Sequence, residues 1–194
     1  MTTVRLFVAL NLPDDVRSRI MREVIDPLRA RVRGVRWVRD DMLHVTLAFL
    51  GERNEAEARE AHAVVREVAT SRDPIQVTLS GLGVFPNAAK PRVLWLGLAD
   101  PNPVRELHRV FERERARLGV PAEGRAYHPH VTLGRVAQTP ETAASEDLAA
   151  MLAAVQFEAT VTLSSLDLMR SETSPAGPRY ATLLAAPLSR AEGR

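Results

Sequence analysis

The sequence contains no cysteine, which excludes disulfides, thiolate metal sites and a cysteine nucleophile. Aromatic residues make up only 5% of the 194 residues, and Lys90 is the single lysine. Nearly every basic side chain is therefore arginine. So general a skew points to codon bias and gives no individual arginine a functional reading by itself. The net charge is only +2, which argues against a protein that coats long duplexes by electrostatics alone. No apolar run approaches membrane-spanning length. The run at residues 6–10 (LFVAL) is followed at once by Pro13, Asp14 and Asp15, unlike a secretory signal. With 45% hydrophobic and 26% charged residues, a cytoplasmic globular protein is expected. It should form one large domain or two closely joined lobes.

One tetrapeptide occurs twice. His44-Val45-Thr46-Leu47 returns as His130-Val131-Thr132-Leu133, and 130 − 44 = 86 residues separate the histidines. Chance repetition among the five histidines has odds of roughly a few in a thousand, so an internal repeat is the better reading. Val, Thr and Leu suit a pleated, half-buried strand. On a strand, His and Thr share one face while Val and Leu share the other. Two such strands side by side would offer two imidazoles and two hydroxyls to one small ligand.

The surrounding pattern repeats as well. In the first half, residues 5–11 read as a buried strand and Asp14 or Asp15 as the cap of a helix that Pro27 should kink or shorten. A short extended piece with Trp37 leads to the motif strand, from about 43 to 50. Asn54 caps a helix to about Ala69, and a strand follows from 75 to 84. In the second half, residues 93–98 (VLWLGL) echo LFVAL. A helix with Val104, Leu107, Phe111 and Leu118 on one face ends at Gly119. The second motif strand, a helix over 142–154 and a strand near 157–169 follow. Residues 160–164 resemble 76–80 in the matching place. The expected organisation is one bilobal domain of duplicated halves, roughly 1–85 and 92–170, with a final strand at 179–187 completing the fold.

Paired imidazoles suit a reaction that needs a base and an acid together, since unperturbed His titrates near pH ~6.5. Threonine hydroxyls can clamp a central anion. A phosphodiester fits best, with two non-bridging oxygens to hold and a poor leaving group to protonate, and no metal or other cofactor is needed. At this point the chain resembles a known family. The doubled His-x-Thr-x motif is that of the 2H phosphoesterases. The strings LFVALNLP, LHVTLAFLG, VLWLGL and YHPHVTLGR resemble the bacterial and archaeal RNA 2′,3′-cyclic phosphodiesterases, historically called 2′-5′ RNA ligases. The resemblance implies an α+β fold of two pseudo-symmetric lobes, each an antiparallel sheet with outer helices, with the active groove between them. It implies that His44 donates a proton to the departing ribose oxygen, that His130 activates water, and that Thr46 and Thr132 hold the phosphate. The two motifs are equivalent by symmetry, so the residues themselves leave acid and base unassigned.

Arg135 follows the second motif where relatives carry Arg, implying a phosphate or ribose contact. Simple alternation puts it on the wrong face, unless Gly134 permits a bulge. Phe49 stands at the matching place after the first motif. Phe7, Phe49 and Tyr127 are candidates for base stacking, each with a core role as the competing reading. His62 is expected on a solvated helix face and His108 in packing. His128 and His130 have a chelating spacing without accompanying carboxylates, which leaves a metallohydrolase as a minor alternative. Two further alternatives are an ATP-independent 2′-5′ ligation as the reverse reaction and a non-catalytic nucleotide or RNA-end binding module. The expected partners are RNA with 2′,3′-cyclic phosphate ends or nucleoside cyclic phosphates. A monomer with no membrane association is expected.

Overall fold

The computed structural model describes residues 3–121, 124, 126–137, 146–174 and 177–189. The first strand, β1 (Val4–Asn11), runs into α1 (Asp14–Ile20), a π turn (Met21–Ile25) and α2 (Asp26–Arg31). Asp14 and Asp15 lie in the first turn of α1 and do not cap it; Pro13 stands at the cap position, and the two carboxylates favour the helix N-terminus electrostatically. Pro27, expected to kink or shorten the helix, sits in the first turn of α2 directly after the π turn. The wider turn removes the i→i−4 demand that proline cannot meet, so the chain stays helical.

β2 (Val35–Trp37) and a 3-10 turn (Asp40–Met42) lead to the first motif strand, β3 (His44–Arg53). α3 (Glu55–Thr70) starts with a capping box: the Glu57 amide donates to Asn54 Oδ1 at 3.0 Å and the Asn54 amide to Glu57 Oε2 at 2.8 Å. Its buried side carries Ala61, Val64, Val65, Val68 and Ala69. β4 (Ile75–Phe85), β5 (Val93–Leu98), α4 (Asn102–Glu114) and the second motif strand, β6 (Val131–Val136), follow. The final elements are α5 (Glu146–Ala154), β7 (Glu158–Leu163), β8 (Ser165–Ser174) and β9 (Gly177–Pro187). Residues 142–145 of the expected helix lie outside the described residues.

The strands form one nine-stranded sheet in the order β7-β4-β5-β6-β3-β1-β8-β9, with β2 paired to β6. The paired strands are antiparallel throughout. The centre of this sheet is the junction of the two motif strands, joined at the single pair Val45↔Val131. On one side lie β3, β1, β8 and β9; on the other lie β6, β5, β4 and β7. These half-sheets are not the two sequence halves. β4 belongs to the first half by sequence but pairs with β5 and β7, while β8 pairs with β1. The expected strand near 157–169 is in fact two strands that part at Ser164, one for each half-sheet. The two similar segments therefore lie on adjacent strands, residues 76–80 pairing with 158–162, with the Thr78 and Thr160 hydroxyls 3.1 Å apart. The counterpart of β4 across the centre is β8.

The large apolar core fills one face of the sheet, where helices cover it; α3, for example, lies on β8 and β9. It holds Leu6, Leu10, Leu47, Leu96, Phe111 and Leu133, each contributing about 1.5–3 kcal/mol by leaving water. A second, small cluster of Phe7, Ala9 and Met169, with Tyr180 against it, lies apart from this core. Among the described residues, no helix is long and apolar enough to cross a membrane.

Candidate active site

The pair Val45↔Val131 fixes the register of the motif strands. Continuing this antiparallel register sets His44 opposite Thr132 and Thr46 opposite His130. The valines point into the core, both fully buried. The four polar side chains therefore share the other face, and all four are half-buried. Coulombic interaction between the imidazoles is felt in their titration, because the His130 charge disfavours protonation of His44.

The two rings are held alike. His44 Nδ1 is 2.7 Å from the Met42 carbonyl oxygen, and His130 Nδ1 is 2.7 Å from the His128 carbonyl oxygen. A carbonyl only accepts, so each Nδ1 carries the hydrogen and each Nε2 is left to exchange a proton with a ligand. The 3-10 turn before β3 and Pro129 before β6 bring those carbonyls two residues back along the chain. His44 Nε2 lies 3.1 Å from Thr46 Oγ1. In the neutral ring, that hydroxyl donates to Nε2.

Aromatic walls desolvate both rings. Phe7 and Tyr180 stand 5.2 and 5.4 Å from the His44 ring, and Phe85 meets His130 edge-on at 5.0 Å. Burial lowers the His44 pKa to about 4, against a partly offsetting bond to Met42. Burial also lowers the pKa of His130, helped by the charges of His128 and Arg135. Both imidazoles are thus neutral near pH 7 in the free protein. Asn11, opposite His44 on β1, donates its amide to Asp167 at 3.1 Å, and Ser165 Oγ donates to the same carboxylate at 3.0 Å. Asp167 is only 1% exposed, and burial raises its pKa.

Arg135 reaches the site face through a bulge. On β6, Thr132 pairs with Trp95 and Gly134 with Leu94, so Leu133 is an extra residue. The bulge inverts the alternation beyond it and returns Arg135 to the side of Thr132. Gly134 is required for close approach: a Cβ there would stand 2.6 Å from Val35 Cγ1. β3 makes the same bulge at Leu47, between the pairs Ala9↔Thr46 and Val8↔Ala48. Phe49 thereby takes the place of Arg135 on the other side, 57% exposed. The burial sequence is identical along residues 44–50 and 130–136.

Two of the three stacking candidates are placed otherwise. Phe7 is on the site face but only 3% exposed, wedged beneath His44 and Tyr180. Tyr127 stacks on buried His108 at 3.8 Å and donates its hydroxyl to the Thr46 carbonyl at 2.7 Å, behind the sheet. Sequence reasoning missed Tyr180, Phe85 and Trp95. Trp95 lies over Gly83 and 5.0 Å from the His128 ring, beside a cavity of about 250 Å³ lined also by Leu82, Leu98 and Pro129. The signal for Trp95 was its place in VLWLGL, opposite the second motif. Tyr180 is invisible without knowing that β9 joins the first half-sheet. The rings of His128 and His130 are 6.5 Å apart, and among the described residues no three His, Asp or Glu converge as metal ligands.

A curled antiparallel sheet presenting two His-x-Thr pairs on one face defines the two-histidine class of phosphoesterases. The chain belongs to the 2′-5′ RNA ligase superfamily, whose model matches residues 2–175. It is 34% identical over 177 residues to a protein of Methanothermobacter thermautotrophicus named RNA 2′,3′-cyclic phosphodiesterase, covering 91% of this chain and 95% of that one. A Thermus thermophilus protein of the same name is 32% identical, covering 93% and 88%. Among solved structures, a crystal structure of a Thermus thermophilus protein superposes with a TM-score of 0.80 at 29% identity, over 96% and 98% of the two chains. Escherichia coli LigT complexed with 3′-AMP superposes with a TM-score of 0.73 at 26% identity, over 97% and 100%.

Proposed function

We propose that this protein hydrolyses 2′,3′-cyclic phosphate ends of RNA to 2′-phosphomonoesters by acid–base catalysis between His44 and His130, without a metal. The observation that carries this reading is the juxtaposition, through Val45↔Val131, of two His-x-Thr pairs on one face. The names of the relatives support the substrate class.

The cyclic phosphate sits between the imidazoles, its non-bridging oxygens accepting hydrogen bonds from Thr46 and Thr132 and charge from Arg135. His130 Nε2 takes a proton from water as the water oxygen bonds to phosphorus. The P–O3′ bond breaks, and O3′ takes a proton from His44 Nε2, leaving a 3′-hydroxyl and a 2′-phosphate. The assignment of acid to His44 follows the family. The pKa of about 4 in the free protein means that the acid is armed on binding: an anion beside the ring favours the imidazolium. The reverse reaction, attack of a 5′-hydroxyl on the cyclic phosphate, is a side activity by microscopic reversibility, and water at its ordinary concentration favours hydrolysis.

The test is turnover of adenosine 2′,3′-cyclic phosphate in EDTA, with the 2′ and 3′ products resolved by chromatography. The wild type should yield the 2′-phosphate, and His44→Ala or His130→Ala should each lose at least a thousandfold in kcat. Wild-type rates in either variant, or loss of activity on chelation, would overturn the reading.

A further inference from the structure

β2 has three residues and pairs with β6 alone, at residues 134–136, just beyond the point where β6 parts from β3. Its register sets Arg36 directly opposite Arg135. Val35 and Trp37 pack toward the core, so Arg36 projects on the same side as Arg135, into the site face. Like charges directly opposite on adjacent strands repel. The contrast with Arg5 on the same face is instructive, because Glu52 stands opposite it. Arg36 and Arg135 are both exposed and, among the described residues, neither has an acidic partner. The Arg36 guanidinium extends toward the other half-sheet: a methyl group on Gly177, at the start of β9, would lie 3.5 Å from its Nη1. Two arginines without acidic partners among the described residues are thus paired directly opposite each other where the half-sheets diverge, next to the proposed phosphate site.

An anion is the group that turns this repulsion into binding, since guanidinium forks match phosphate oxygens. Thr132 and Arg135 are separated by one bulge and two ordinary strand steps, about 7–10 Å at ~3.3 Å per residue. That span suits neighbouring phosphates on one RNA strand. A 2′,3′-cyclic phosphate is the 3′ terminus of its strand, so the only neighbouring phosphodiester lies on its 5′ side. We infer that Arg36 and Arg135 clamp the phosphodiester on the 5′ side of the reacting nucleotide, so that the site is built for the end of an RNA strand in preference to a mononucleotide. Arg135 stands between the two phosphates, and Arg36 belongs to the outer one. This inference rests on the cyclic phosphodiesterase reading for the position of the inner phosphate.

The experiment compares kcat/KM for adenosine 2′,3′-cyclic phosphate with that for the dinucleotide ApA ending in a 2′,3′-cyclic phosphate. The wild type should prefer the dinucleotide. Arg36→Ala should reduce the ratio of the two values about tenfold, chiefly through KM, and Arg36→Lys should recover part of it. For the dinucleotide, the slope of log kcat/KM against log salt should become shallower by about 0.7, the change expected for one lost phosphate contact on a single strand. An unchanged ratio and slope in a variant that melts like the wild type would refute the clamp. If the wild type turns over neither substrate, the hydrolysis reading fails, and calorimetric titration with the 2′-phosphate-ended ApA and with adenosine 2′-monophosphate still decides the clamp. A severalfold preference for the dinucleotide that Arg36→Ala abolishes supports it; equal affinities in the wild type end it.

Discussion

His44 makes the protein's stability depend on pH in a way that one substitution isolates. In the native state its pKa is pushed down to about 4, first by burial beside Phe7 and Tyr180. In the unfolded chain the same ring titrates near ~6.5. Between those values the unfolded state binds more protons, so stability rises with pH there and is lost as pH falls from about 6.5 toward about 4. The full difference corresponds to about 3 kcal/mol, and the part falling between pH 7 and pH 4.5 is about 2 kcal/mol. His44→Gln keeps a donor for the Met42 carbonyl and removes the titration. Urea unfolding followed by the fluorescence of Trp37 and Trp95, at pH 7 and pH 4.5, reads both proteins. The wild type should lose about 2 kcal/mol more than His44→Gln across that interval, because every other titrating group, His130 included, is common to both. Losses equal within about 0.5 kcal/mol would refute the argument, since desolvation would then not be shifting the ring. Inorganic phosphate supplies the second arm. An anion beside His44 should stabilise the wild type more at pH 5 than at pH 7, and this gain should be smaller in His44→Gln.

Three other outcomes test separate parts of the structure. Thr46→Val or Thr132→Val keeps a strand-forming shape and deletes a hydroxyl; kcat/KM for a cyclic nucleotide should fall about a hundredfold while the urea midpoint changes little. Gly83→Ala places a Cβ 2.3 Å from Trp95 Cζ2, so the indole must shift; a cost of about 1–3 kcal/mol and an altered Trp emission spectrum are expected. Asn54→Ala removes the Oδ1 that accepts from the Glu57 amide, leaving the backbone bond to Glu57 Oε2, and should cost about 1 kcal/mol in denaturant unfolding, with no change in kcat.

Local pattern carried far in this chain. The alternation in His44-Val45-Thr46-Leu47 sufficed to separate a core face from a polar face, and the structure buries Val45 and Leu47 while leaving His44 and Thr46 half-open. Asn54 was readable as a cap because capping is a matter of adjacent residues. The exchange of β4 and β8 between the half-sheets was not readable. Both are alternating strands at the end of a repeat, and nothing local tells either which partner lies beside it. Reading 157–169 as one strand failed for the same reason: Ser164 breaks no hydrophobic pattern, and only the pairing shows that the chain crosses there from one half-sheet to the other. Tyr180 was lost with that crossing. Tyr127 was open to both a stacking and a core reading because an aromatic beside a motif in sequence can stand on either side of the sheet, and the bond to the Thr46 carbonyl draws it behind.

The bulges at Leu47 and Leu133 are what make the repeat into a site. In an unbroken strand, Phe49 and Arg135 would point away from the histidines that precede them. One inserted residue in each strand reverses that, lengthening the polar face beyond the two imidazoles without disturbing the valines and leucines beneath it. Because both strands bulge at the matching leucine, residues 44–50 and 130–136 present the same pattern of burial. The chemistry is differentiated by the side chain that each bulge returns to the site face: an exposed ring at 49 and a guanidinium at 135. The arginine side is also the side on which β2 adds Arg36. Positive charge thus accumulates beside His130, and the apolar surface of Phe49 lies beyond His44. Nearly equivalent histidines acquire different neighbours in this way, which is the physical precondition for one to act as base and the other as acid.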